Sequence, residues 1–282
     1  RGGEGVGTVT RPGLAVAPGR SAINPVPRRM ILREAGQVLR AVRHGAGGKG
    51  HTAGPVLEIV IYVPEGKTLA GRTWNPRLGI TGGISIIGTS GVVEPKSDEA
   101  YRASIAAVIR GIRKTGHDTL IITPGYVGER YLFEKAGIPA EGVATVGDHV
   151  GWSFREGARR GFRRFVLVGH IGKLAKVAAG IFDTHWSSGD ARLETLSAWA
   201  AHEGADTETV RRLLSLELAE EAVAVIEAEG LETVFARITG RCVDRLAADM
   251  ERRYPGEKFE IGCVLLDLEA SRLAAEGLGE GL

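Results

Sequence analysis

Three short stretches of this chain bring ionisable side chains to glycine turns: Pro124-Gly125-Tyr126-Val127-Gly128, Gly147-Asp148-His149-Val150-Gly151 and Gly169-His170-Ile171-Gly172-Lys173. Each follows a short apolar run and opens a helical pattern, the order strand, turn, helix start. Asp148 stands just past its strand, where a carboxylate can accept hydrogen bonds from ribose hydroxyls; a helix N-cap is the alternative. His149 and His170 are of the acid-base or ligand type, or else satisfy loop carbonyls. Lys173 falls in the first turn of its helix, which the helix dipole disfavours, and this placement points to an anionic partner.

A fourth cluster follows in Phe182-Asp183-Thr184-His185-Trp186-Ser187-Ser188-Gly189-Asp190-Ala191-Arg192. Asp183, Thr184, His185 and Asp190 together are more functional side chains than a connector between helices needs. A metal site built from His149, His170 and His185 is disfavoured, because no His pair at i,i+4 and no Cys pair supports it. Upstream, Asn75-Pro76-Arg77-Leu78-Gly79-Ile80 leads into Gly82, Gly83 and an apolar run closed by Gly88-Thr89-Ser90-Gly91, before a helical pattern near Asp98. Glycines let backbone approach a ligand, and free N–H groups of such a turn point at negative charge. A plain tight turn is the alternative reading of one Gly-x-x-Gly.

The elements that must position these residues divide the chain. Residues 119–123, 143–146 and 165–168 read as buried strands, each followed by a helix, at 129–136, 152–160 and 174–181. Strands alternating with helices predict a parallel sheet covered on both faces, an α/β fold whose ligands sit beyond the carboxyl ends of the strands. Residues 1–113 read as an α+β domain, with Pro25 and Pro27 in the first turn of a long helix and a second helix over 98–113. Residues 114–256 read as an α/β and then helical domain. The strand at 259–266 has no sequence neighbour to pair with and is expected to rejoin the first domain, through 257–282. The chain begins at Arg1 in what reads as the middle of a strand-bearing motif, so an N-terminal segment is expected to precede it.

Composition narrows the class. The 282 residues carry 36 Lys and Arg against 34 Asp and Glu, a net charge of +2, which implies no general attraction to nucleic acid or to an acidic membrane. No apolar run reaches membrane length. The two cysteines, Cys242 and Cys263, lack Cys-x-x-Cys spacing, fit a reducing cytosol and a cytoplasmic location, and read as core residues. Arg28, Arg29, Arg33, Arg40 and Arg43 along the first long helix read as a solvated face, with Arg28, beside the Asn24-Pro25-Val26-Pro27 turn, as the alternative of a carboxylate clamp, since guanidinium groups bind carboxylates bidentately.

Several motifs together resemble the CbiD family of cobalt-precorrin-5B C1-methyltransferases. They are Gly3-Glu4-Gly5-Val6-Gly7-Thr8-Val9-Thr10-Arg11-Pro12-Gly13-Leu14, Ala22-Ile23-Asn24-Pro25-Val26-Pro27-Arg28, and Asn75-Pro76-Arg77-Leu78-Gly79-Ile80 through Gly88-Thr89. Gly169-His170-Ile171-Gly172-Lys173-Leu174, Phe182-Asp183-Thr184-His185 and Asp190-Ala191-Arg192 complete the series, in family order over nearly the whole chain. The family's opening segment, similar to Gly-Tyr-Thr-Thr-Gly-Thr-Cys, is not among these residues.

The resemblance implies two domains, one with a three-layer α/β/α sheet and one resembling the second domain of ribosomal protein S5. It implies S-adenosylmethionine as methyl donor and a cobalt-bearing corrinoid acceptor, cobalt-precorrin-5B, giving cobalt-precorrin-6A in anaerobic cobalamin biosynthesis. Cobalt enters only as part of the substrate. On this reading Gly82, Gly83, Gly88, Thr89, Ser90, Gly91, Gly125 and Asp148 cradle the donor. Arg11, Asn24, Arg28, Arg77 and Lys173 hold the acidic macrocycle, and His170, followed by His185 or Asp183, removes a ring proton. A homo-oligomer is compatible with all of this. The competing readings are another nucleotide-using α/β transferase and a corrinoid carrier that performs no chemistry.

Overall fold

The computed structural model describes residues 1–45, 57–73, 75–87 and 98–277. Gly88, Thr89, Ser90 and Gly91 lie outside the described residues. The chain divides into two compact units, Arg1–Lys114 and Thr115–Leu282.

Unit 1 is built on short strands that glycine holds close together. β1 (Gly5–Val6), β2 (Thr8–Val9), α1 (Pro25–Gly45), α2 (Gly66–Ala70), β3 (Ile80–Thr81), β4 (Gly83–Ile84) and α3 (Asp98–Lys114) follow in order. β1 pairs parallel with β4, and β2 antiparallel with β3. Gly5 has a φ of +74°, and a Cβ there would lie 1.7 Å from the Val63 carbonyl oxygen; a Cβ on Gly83 would lie 2.2 Å from that of Gly5. Only glycine allows this approach. Val9, Ala22 and Ile80 form the small core between these strands.

Buried Asn75 braces the turn that precedes β4. Its Oδ1 accepts from Ser85 Oγ at 3.0 Å, and its backbone carbonyl accepts from Ile80 N at 2.8 Å. The lead-in Asn75–Ile80 therefore serves as an internal bracket.

Unit 2 carries a five-stranded sheet. β5 (Thr119–Thr123), α4 (Tyr126–Arg130), β6 (Val143–Thr145), α5 (Val150–Arg159), β7 (Arg164–His170) and α6 (Ile171–Ala178) come first. The helices α7 (Arg192–His202), α8 (Thr207–Leu214), α9 (Glu221–Ala228) and α10 (Thr233–Arg253) lead to β8 (Glu260–Leu266) and β9 (Arg272–Glu276). The spatial order is β6-β5-β7-β8-β9, parallel except for the antiparallel edge strand β9. Alternate strand residues face opposite ways. Ile121, Val166, Val168, Val264 and Leu266 pack with Val127 and Leu132 of the α4 segment. On the other face Phe165 stacks on Phe154 of α5, with ring centroids 4.9 Å apart.

The late strand, expected to rejoin the first domain, instead pairs with β7 from Arg164↔Glu260 to His170↔Leu266. Its residues 261–266 are all buried, and a strand so apolar gains most with both faces covered. Cys242 and Cys263 are both buried between α10 and β8; desolvation, with the neighbouring Cys263 thiol, pushes the Cys242 thiol well above its ordinary value.

Candidate functional site at the carboxyl edge of the unit 2 sheet

β5 is followed by β6 on one side and β7 on the other, so the chain leaves the carboxyl ends of β5 and β7 toward opposite faces. Ligands of open α/β sheets bind at such a switch point. The turns there touch one another. A Cβ on Gly169 would come within 3.1 Å of Pro124 Cδ, and one on Gly128 within 2.7 Å of the Val168 carbonyl oxygen. Val146 N donates to the Thr123 carbonyl at 2.9 Å, joining the ends of β6 and β5.

Asp148, three residues past β6, is the hub. Lys173 Nζ from α6 and Thr184 Oγ1, the latter at 2.8 Å, both donate to its Oδ1. Thr184 N donates to its backbone carbonyl at 2.9 Å. Burial raises the carboxyl's pKa, but the Lys173 and Thr184 donors outweigh it and hold the group below its ordinary value. The anionic partner that Lys173 requires is thus in the protein itself. Asp148 remains part-exposed, with its Oδ2 free of hydrogen bonds among the described residues.

The 182–185 segment is bolted to this hub. Gly151 N donates to the Phe182 carbonyl at 3.0 Å, an approach that a Cβ on Gly151, 2.6 Å from Phe182 Cβ, would prevent. Lys176 Nζ, buried, donates to the Thr184 carbonyl at 3.3 Å. Asp190 is held at about 2 chiefly by its side-chain hydrogen bonds from Arg192, which outweigh the opposing effect of burial.

His170 ends β7 and caps α6. Gly172 N donates to its Nδ1 at 3.1 Å, and since an amide only donates, Nδ1 carries the lone pair. Nε2–H then donates to Glu220 Oε2 at 2.7 Å, and Glu220 Oε1 accepts Leu268 N at 3.0 Å. Both ring nitrogens are engaged. In His185 the Nδ1 likewise accepts from Ser187 N at 3.3 Å, with Ser187 Oγ 2.7 Å away, and the Nε2–H of this exposed residue has no partner among the described residues. Asp183, half-buried, accepts His185 N at 3.2 Å through Oδ1 and keeps Oδ2 uncommitted among the described residues.

Gly125 lies in the turn after β5 with open space at its α-carbon and extended backbone, so neither packing nor conformation demands glycine there. In unit 1, Gly82 is exposed at φ +77°, while Gly83 is spent on its approach to Gly5. Asn24 is half-buried just before α1, where its carbonyl accepts Arg28 N at 3.1 Å. Arg28 and Arg77 are exposed, and the Arg11 side chain fills the space left by the missing Cβ of Gly79. The residue that the sequence did not disclose is Glu220.

The CbiD family model matches residues 1–95, and the model of the CbiD C-terminal domain matches residues 183–277. A cobalt-precorrin-5B C(1)-methyltransferase from Thermoanaerobacter sp. is 41% identical over 98% of this chain and 71% of its own length. The chain belongs to the CbiD family. Another CbiD relative, the cobalt-precorrin-5B C(1)-methyltransferase of Moorella thermoacetica, is 42% identical over 95% of this chain and 69% of its own. Across eight such relatives the chain spans 62% to 72% of their lengths. A solved cobalamin biosynthesis protein (cbiD) from Archaeoglobus fulgidus is 26% identical over 68% of this chain and 56% of that one, at a TM-score of 0.24. Among the described residues no helix is long and apolar enough to cross a membrane.

Proposed function

We propose that the protein transfers a methyl group from S-adenosylmethionine to C1 of cobalt-precorrin-5B, giving cobalt-precorrin-6A in anaerobic cobalamin biosynthesis. The observation that carries this reading is the meeting of three turns at one sheet edge, in a chain of the CbiD family. Gly125, which nothing among the described residues requires, and Asp148, with one oxygen free among them, lie on the turns that follow the neighbouring strands β5 and β6. They suit a donor that presents ribose hydroxyls and needs close backbone approach.

In the reaction a carbon–carbon bond forms as the sulfur–methyl bond breaks, and sulfur keeps the electron pair and loses its charge. The protein's task is chiefly alignment of donor and acceptor with water kept out. The ring proton goes to a base. The lone pairs on Nδ1 of His170 and His185 are committed, whereas Asp183 Oδ2 is uncommitted among the described residues, so Asp183 takes that role and His170 holds the edge in shape.

Titration calorimetry with S-adenosylhomocysteine tests the cradle. Gly125→Val is expected to weaken binding at least tenfold without unfolding the protein; unchanged affinity would remove this turn from the donor site.

A further inference from the structure

Resting on the corrinoid reading just given, we propose that Trp186, with His185 beside it, forms the wall on which the macrocycle of the acceptor lies. Among the described aromatic side chains of unit 2 only Tyr126, Phe133 and Trp186 are exposed, and Trp186 is the most so, at 78%. Leaving an indole in water forgoes the free energy of burying a large apolar surface. A single exposed aromatic residue on a loose loop would mean little.

This one stands on a pedestal. The residues just before it are fixed by Gly151 N to the Phe182 carbonyl, by two hydrogen bonds from Thr184 to Asp148, and by buried Lys176 on the Thr184 carbonyl. His185 is tied in turn to Ser187. An aromatic side chain whose backbone is fixed before its ligand arrives binds it with less ordering cost than one on a loose loop.

The neighbourhood defines the ligand's chemistry. The His185 ring lies 5.5 Å from the indole at 43°, with Nε2–H exposed and directed by the Nδ1 bond to be a donor. An aromatic face next to a donor fits a conjugated ring with an acidic rim: the ring stacks on Trp186 and a peripheral carboxylate accepts from His185. The same pedestal carries Asp183, three residues before Trp186, whose Oδ1 accepts His185 N at 3.2 Å.

The full chain is titrated with cobyrinic acid, a cobalt corrinoid with free carboxylates, by equilibrium dialysis read at the corrinoid's visible absorbance, and separately with S-adenosylhomocysteine by calorimetry. Stacking on an aromatic side chain contributes about 1–3 kcal/mol, so Trp186→Ala is expected to weaken corrinoid binding about tenfold or more. Trp186→Phe should retain it within about threefold, and both variants should bind S-adenosylhomocysteine as the wild type does. Equal corrinoid affinity in Trp186→Ala overturns the wall while leaving the functional reading standing. A loss of S-adenosylhomocysteine affinity instead assigns the indole to the donor and also overturns it. If the wild-type chain binds no corrinoid at all, the functional reading fails first and the wall with it.

Discussion

His170 Nε2 lies 2.7 Å from Glu220 Oε2, and this contact closes the carboxyl edge of the unit 2 sheet from a distance of 50 residues in the chain. Through its second oxygen Glu220 also holds Leu268 N, just past β8. One carboxylate thus ties together the ends of two neighbouring strands. Glu220→Ala leaves both donors without an acceptor. It is expected to destabilise the protein by about 1–2 kcal/mol, discounted for partial exposure, as a lower midpoint in urea. An unchanged midpoint would show the clasp to be idle.

Asp148→Ala should loosen the 182–185 segment as well as lower stability. The variant loses an ion pair with Lys173 and a hydroxyl hydrogen bond from Thr184, for about 1–3 kcal/mol. Amide hydrogen exchange would show the effect at Thr184, whose N–H is bonded to the Asp148 backbone and whose hydroxyl is bonded to its side chain. Protection at Thr184 that survives the substitution would mean that the segment is fixed by its other contacts alone.

Acid should act through the same carboxylates. Asp190 is held at about 2 by Arg192, and Asp148 is also held below its ordinary value. A folded-state pKa below the unfolded one contributes stability that is complete above about pH 4 and is lost as pH falls toward 2. The fall in melting temperature between pH 4 and pH 2 is therefore expected to be shallower in Asp190→Asn than in the wild type, and parallel curves would contradict it.

Two glycines should respond in opposite directions. A Cβ on Gly128 would lie 2.0 Å from Thr123 Oγ1 and 2.7 Å from the Val168 carbonyl, so α4 must lift from the sheet in Gly128→Ala, at about 1–3 kcal/mol. Gly240, inside α10, has nothing within 4 Å of such an atom, and Gly240→Ala should stabilise by about 0.5–1 kcal/mol. Thermal melts of the two variants check the pair; shifts of the same sign would refute the packing described.

The parts of this site that were legible in the sequence are those governed by local rules. Strand, glycine turn and helix start recur at Thr123, Thr145 and His170 because short buried parallel strands read as apolar runs and their turns need glycine, so the sheet edge could be placed in advance. What stayed hidden depends on chain segments far apart. Lys173 looked misplaced at a helix start only because its partner, Asp148, lies 25 residues earlier. Glu220 sits among other acids before α9, with no pattern to distinguish it. The strand at 260–266 carried its apolar character openly, but its neighbour β7 is separated from it by four further helices after α6, and periodicity says nothing about pairing across such a span. In unit 1 the Asn75 stretch precedes the glycine turn in sequence, and only its hydrogen bond with Ser85, ten residues on, shows that it braces that turn.

The base assignment separates two neighbours on one segment. Asp183→Asn should lower single-turnover methylation by about 10²- to 10⁴-fold with corrinoid affinity preserved, since only proton removal is lost. Normal turnover would return the role to another group.

Methyl transfer itself is the most direct test. The full chain is incubated with cobalt-precorrin-5B and S-adenosylmethionine carrying an isotopically labelled methyl group, and the product is read by nuclear magnetic resonance. Label is predicted on ring carbon C1, with S-adenosylhomocysteine released in equal amount. Both ligands bound with no label on the ring would contradict the account.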